Sequence, residues 1–186
     1  MRVITGTARG AQLETLPGEE IVRPTAERVK EGMFSAVQFR VAGAKTLDLF
    51  AGSGQLGIEA LSRGASLCVF VDASRQSTDV VLRNLRRAGL QQSARVLTSD
   101  AFRYLDHCKD QFDLVLLDPP YRKDLCARAL ETLDRVVAPG GYVFCETEQE
   151  AELPETAGAL ALKKKYKYGK TRVWLYVRDD GEQVEE

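Results

Sequence analysis

One histidine and one tryptophan are all that these 186 residues hold of either type. With His107 alone, a multi-histidine metal centre is excluded, and the residue reads as the polar end of a helix. Cysteine is scarce as well. Cys68, Cys108, Cys126 and Cys145 stand far apart with no Cys-x-x-Cys pair, which argues against a zinc site and for reduced, mostly buried thiols of a cytosolic protein. No apolar run approaches the roughly 20 residues of a membrane helix, and MRVITGTARG at the N-terminus lacks an apolar signal core. A 44% hydrophobic and 28% charged composition excludes a disordered chain, and the length suits one domain. The expectation is a cytoplasmic monomer without metal or membrane partner.

What is present is unevenly placed. The net charge of −1 hides a stretch, residues 161–178, with seven Lys or Arg and no acid, followed by eight residues with five acids. Lys163, Lys164, Lys165 and Lys167 fit either a local anion-binding face or an edge strand kept from aggregating by lysine. The acidic tail, 179–186, is expected to be disordered.

Residues 1–44 form an extension to the core. RVITGTARGAQLETL reads as a hairpin about Ala8-Arg9-Gly10. Thr25 then caps a helix with Val29, Met33 and Val37 at helical spacing, in which Gly32 costs about 1 kcal/mol relative to Ala. From Thr46 strands and helices alternate. TLDLF, SLCVFV, ARVLTS and FDLVLL are the first four strands; residues 55–63 form a helix closed by Gly64, and Ser74 to Gly89 bound another. Leu125 to Val137 reads as a helix, with Cys126, Ala129, Leu130, Leu133 and Val137 inward. Pro139-Gly140-Gly141 turns into YVFCET, and LKKKYKY with TRVWLYV close a hairpin about Gly169-Lys170. Seven strands result: an α/β domain over 45–178, its sheet mainly parallel with helices on both faces, ending in an antiparallel hairpin.

The functional signal lies where strands end. In such sheets ligands sit at the carboxyl edge of the strands, and here the first four end in "LDLFAGSGQLG", "FVDAS", "TSDAF" and "LLDPPY". Gly52, Gly54 and Gly57 match G-x-G-x-x-G, with Asp72 twenty residues after Gly52, so a nicotinamide oxidoreductase has to be weighed. Asp48 would be unwelcome beside a diphosphate, whereas a cationic ligand would accept it. Asp100 adds an acceptor for an adenine amino group. S-adenosylmethionine, an adenosine with a sulfonium and an amino-acid tail, fits this acid-rich set better than a dinucleotide.

The Asp118-Pro119-Pro120-Tyr121 corner suits attack by an exocyclic base amine. Its lone pair is delocalised into the ring, and two acceptors, the Asp118 carboxylate and the Pro119 carbonyl, can draw the nitrogen toward tetrahedral geometry. The prolines fix those acceptors in advance. Tyr121 offers a stacking face worth about 1–3 kcal/mol per base. No strong base is needed, because the methylated ammonium is itself acidic. Cys145 lies inside an apolar strand, which disfavours carbon methylation through a covalent thiol.

These segments together resemble the RsmD family, Rossmann-like class I methyltransferases acting on guanine N2 of small-subunit (16S) ribosomal RNA. The likeness runs along nearly the whole chain: RVITGTARG, RPTAERVKEGMFS, LDLFAGSGQLGIEALSRGA, FVD, SDA, LLDPPY and YKYGKT. It implies that Asp48 with Phe50, Ala51, Gly52, Ser53 and Gly54 wraps the methionine end of S-adenosylmethionine, with S-adenosylhomocysteine as product. It further implies Asp72 on the ribose, Asp100 with Ala101 on adenine, and Asp118 to Tyr121 on the target base. Arg23, Thr25 and Arg28 would lie near the RNA entrance, or serve in capping and surface pairing. The implied partner is ribosomal RNA or an assembling small subunit. Gly10-Ala11-Gln12 is less basic than the family's run there, and Gln55 replaces a commonly small residue. An adenine-N6 methyltransferase shares the corner chemistry and stays open. A nicotinamide enzyme leaves the proline corner unexplained, and a non-catalytic RNA-binding module leaves the cofactor residues unexplained.

Overall fold

The structure, a computed structural model, describes residues 1–17, 23–120 and 124–180, and for 23–25 the backbone alone. Its elements are α1 (Arg23–Ala36), α2 (Gln38–Val41), β1 (Lys45–Leu49), α3 (Gln55–Ser62), β2 (Leu67–Asp72), α4 (Arg75–Ala88), β3 (Ala94–Thr98), α5 (Ala101–His107), β4 (Phe112–Leu117), α6 (Leu125–Leu133), β5 (Val137–Glu148), β6 (Thr156–Ala157), β7 (Leu160–Tyr168) and β8 (Thr171–Arg178). One sheet runs β3-β2-β1-β4-β5-β8-β7-β6. Pairing is parallel from β3 through β5 and antiparallel from there on. The chain leaves β1 for β2 and β3 on one side and returns to β4 on the other. The carboxyl ends of β1 and β4 therefore flank the switch point, where a ligand crevice opens.

Strand alternation sends side chains to two cores. On one face α1, α3 and α4 cover Phe70, Leu114, Leu116 and Phe144. On the other, α5 and α6 cover Leu47, Leu49, Val115, Leu117 and Cys145. Helix α1 contributes Val29, Met33 and Phe34, and Val37 follows it ahead of α2, all buried, each worth roughly 1.5–3 kcal/mol of transfer free energy. The glycine within α1 has a packing reason: a Cβ on Gly32 would stand 2.0 Å from the Tyr168 hydroxyl of β7. The Cys145 thiol is fully buried, and burial pushes its pKa well up.

The N-terminal segment is fastened onto α3. Glu59, fully buried, accepts the Ile4 and Thr5 amides at 2.9 and 3.0 Å and Arg63 Nε at 2.8 Å, with Lys30 Nζ at 3.4 Å. Lys30 also donates to the Arg2 carbonyl at 2.8 Å. Burial lowers its pKa, and Glu59 opposes that shift.

Several boundaries differ from the sequence reading. Helix α1 starts at Arg23, ahead of Thr25; Pro24 fits a first turn, where its missing N–H costs nothing. The N-terminal hairpin has a single bridge, Arg2 with Gln12. Helix α6 stops at Leu133, so Val137 is buried as the first residue of β5 instead of in a helix. The β-branched pair Val136-Val137 favours strand. Pro139-Gly140-Gly141 lies inside β5, where the register to β4 shifts between Phe112 and Leu114; at a bulge proline owes no ladder hydrogen bond. Among the described residues the sheet has eight strands, because the two-residue β6 adds to the expected seven. Residues 181–186 of the acidic tail lie outside the described residues.

Candidate active site

The loop after β1 is bent by necessity. Phe50 and Ala51 both donate to the Val71 carbonyl at 3.0 Å, and Phe50 takes φ 69°, a left-handed geometry costly for a bulky side chain. Its ring meets Phe102 of α5 edge to face, with centroids 6.3 Å apart. Helix α3 packs so closely that a Cβ on Gly57 would reach 2.3 Å from the Phe70 ring and 2.7 Å from Cys68 Sγ. That closeness brings the Gly57 amide to Asp48 Oδ2 at 2.8 Å.

Asp48 is 1% exposed. Burial, reinforced by the neighbouring Asp118 and Asp72 charges and opposed by the Gly57 amide, raises its pKa to about 8. Asp72 braces the same loop from β2: Oδ2 accepts from Gly52 N at 2.9 Å and Oδ1 from Ser74 N at 2.8 Å. Asp100 caps α5, its Oδ1 taking the Phe102 and Arg103 amides, each at 3.0 Å.

These residues converge. A cleft of about 760 Å³ is lined by Phe50, Gly52, Asp72, Asp100, Ala101 and Asp118, with Pro119 and Pro120 among the rest. A side recess of about 40 Å³ is lined by Asp48, Phe50, Ala51, Gly52, Ser53, Gln55 and Asp118. The proline corner thus faces the glycine loop, and Asp48 and Asp118 border one recess. Tyr121 lies outside the described residues, as do the side chains of Arg23 and Thr25. Arg28 is exposed on α1.

The lysines do not share one face. Lys163 and Lys164 lie near the Tyr142 and Tyr166 rings, at 5.3 and 5.1 Å, on the α1 side. Lys165 lies 4.6 Å from Trp174, on the other side, and Lys167 shares its parity. Alternation separates Lys164 from Lys165, and the bulge between Leu162 and Lys164 puts Lys163 on the side of Lys164.

Two residues escaped the sequence reading. Glu146 ends the apolar part of β5 as Asp118 ends β4, so the strand-end signal applied to four strands extends to a fifth. Register pairs Leu117 with Cys145, so Asp118 and Glu146 each follow a paired residue on neighbouring strands, and Glu146 lines a cavity together with Pro119 and Pro120 of the corner. Leu16, from the N-terminal extension, lines the cleft; an isolated leucine before Pro17 gives no periodic signal.

This strand order, a glycine loop after β1 and an Asp-Pro-Pro corner after β4 define a Rossmann-like class I methyltransferase. Residues 1–177 match the family described as Conserved hypothetical protein 95. The chain belongs to this family, the RsmD methyltransferases. It is similar to YlbH of Bacillus subtilis, 39% identical over 181 residues that cover 95% of this chain and 98% of that protein. Ribosomal RNA small subunit methyltransferase D of Escherichia coli is 32% identical over 183 residues, covering 96% and 90%. The solved structure of Escherichia coli yhhF superimposes with a TM-score of 0.84 at 31% identity, covering 97% of this chain and 98% of that one.

Proposed function

We propose that the chain methylates an exocyclic amine of a nucleobase in small-subunit ribosomal RNA, with S-adenosylmethionine as donor and guanine N2 as the target. The carrying observation is the shared recess, where a buried acid on the glycine loop and the acid of the proline corner border one space. A carboxyl held 1% exposed, with no basic side chain among its hydrogen-bond partners in the described residues, suits a cationic ligand. When bound, S-adenosylmethionine supplies an electrophilic methyl on a sulfonium. Asp48 offers the negative charge facing that cation. Asp72 and the cap residue Asp100 hold the loop and helix ends that border the adenosine cleft. Asp118 accepts one amine N–H and the Pro119 carbonyl the other, aiming the lone pair at the recess. The proton of the methylated nitrogen then leaves to solvent or to Asp118.

Glu146 favours guanine over adenine. Guanine presents donors at N1–H and at N2, which the carboxylates after β4 and near the end of β5 would both accept. Adenine presents an unprotonated N1, which a second carboxylate repels. Glu146→Gln should lower guanine methylation about ten- to a hundredfold, the range of a base-edge contact worth about 1–3 kcal/mol, with cofactor affinity unchanged. Nucleoside mass spectrometry of 16S rRNA tests the target itself. N2-methylguanosine should fall in a deletion strain and return on complementation. Loss of N6-methyladenosine would substitute the adenine reading, and no change in either would end the ribosomal one.

The lysine split sharpens the expected RNA contact. Lys163 and Lys164 share the α1 side of the sheet with Glu146, which has the parity of Phe144 in β5, so Lys163→Gln with Lys164→Gln should flatten the salt dependence of RNA binding more than Lys165→Gln with Lys167→Gln. Each lost phosphate contact removes about 0.7–0.9 from the slope of log affinity against log salt. Equal slopes for the two pairs would refute the assignment of that face.

A further inference from the structure

Asn84 lies on α4, fully buried, and its amide makes three hydrogen bonds. Oδ1 accepts the Glu14 amide at 2.7 Å. Nδ2 donates to the Glu14 carbonyl and to the Ser53 carbonyl, each at 2.9 Å. Both partners matter. Ser53 is the centre of the glycine loop, between Gly52, whose N–H is held by Asp72, and Gly54, which caps α3. Glu14 belongs to the N-terminal extension, outside the alternating core. Its carboxylate is gripped from outside as well, by Arg83 at 2.7 and 3.0 Å and by Arg87 at 3.6 Å. Two residues further on, Leu16 enters the lining of the large cleft beside Phe50, Gly52, Asp72 and Ser74.

The same loop is therefore held from two directions, by Asp72 from the sheet and by Asn84 from α4. The second hold also fixes the backbone that delivers Leu16. A strap with no role at the cleft would need only the surface ion pairs, which contribute little. It would not need a buried amide that spends both hydrogens on two separate segments. We propose that residues 13–17 are a strap completing the cofactor site, in which Leu16 contacts the cofactor and Asn84 is the positioning residue locking strap and glycine loop together. The extension that continues into α1 thereby shares a hub with the cofactor loop. The proposal rests on the S-adenosylmethionine reading, and wild-type binding reports on that reading separately.

The test uses the full chain. Leu16→Ala removes the apolar wall at a half-buried position, and should raise the dissociation constant for S-adenosylhomocysteine about tenfold by calorimetry. KM for S-adenosylmethionine should rise with it while kcat and RNA affinity stay within about twofold, and Leu16→Met should restore binding. A wall with a purely structural role would move the melting temperature and leave this KM-against-kcat split absent. Asn84→Ala should weaken the cofactor in the same sense, and, should that variant not fold, Glu14→Ala with Leu16→Ala carries the question. In the wild type, S-adenosylhomocysteine should slow amide exchange across 13–16, the strap residues that carry an amide hydrogen. Wild-type binding of S-adenosylhomocysteine together with an unchanged Leu16→Ala dissociation constant, or with no protection of the strap, overturns the proposal; no wild-type binding overturns the cofactor reading first.

Discussion

Replacing Asp118 by Ala should abolish most methyl transfer, by about a hundred- to a thousandfold in kcat, and leave cofactor affinity at or slightly above the wild-type level. The magnitude is that of removing one oriented charge-stabilising group from a preorganised site. The binding result follows from position. Asp118 borders the recess beside Asp48, and its charge helps to hold the Asp48 carboxyl above its ordinary range. Without it Asp48 ionises more readily and meets a cation better. Asp118→Asn is the finer probe: its amide oxygen still accepts one amine hydrogen, but its NH₂ group presents donors to a donor. Its rate should fall between wild type and Asp118→Ala. Single-turnover methylation with calorimetry on the same preparations checks both halves, and wild-type turnover in the Asp118→Ala chain would sink the assigned role.

Much of this site is legible in the sequence because of one physical regularity. Parallel strands deliver their last residues to one edge, so an acid that ends an apolar run is already at the ligand rim. Asp72 and Asp118 are found that way, Asp48 within and Asp100 just past such a strand end, and the turn chemistry of the glycine loop and the two prolines is local enough to read directly. What stays hidden depends on contacts distant in sequence. Leu16 reaches the cleft on a segment whose Glu14 backbone is held by Asn84, seventy residues further on, and an asparagine within a helix gives no sign of its partners. Lys30 of α1 is buried against Glu59 of α3, a partner that no local pattern announces. The lysine run looks like one basic face until strand pairing divides it and a bulge in β7 sets Lys163 beside Lys164. Val137 shares the helical spacing of Leu130 and Leu133, and only the pairing of Phe112 with Val137 assigns it to a strand.

The pH dependence of cofactor binding should be steep below about pH 8 and set by Asp48. An unperturbed aspartate titrates near 3.9, whereas burial raises this one to about 8. The native free chain therefore keeps a proton that the unfolded chain releases. The stabilisation from this group is fully present below about pH 4 and drains away as pH rises toward 8. A cation in the recess reverses the sense, because it favours the ionised carboxylate and expels that proton. Affinity for S-adenosylmethionine should accordingly rise by up to about tenfold per pH unit below the free-state pKa and level above it, one proton being released on binding. The gap in melting temperature between loaded and free chain should widen from pH 6 to pH 8. Asp48→Asn should bind weakly with a flat profile. Comparing the two nucleosides then identifies the cation that Asp48 faces. S-adenosylhomocysteine lacks the sulfonium and retains the ammonium, so a steep profile for both ligands assigns the ammonium, and a steep profile for S-adenosylmethionine alone assigns the sulfonium. A flat wild-type profile for both would mean that the buried carboxyl never meets a cation, and the recess would have to be read again from its shape alone.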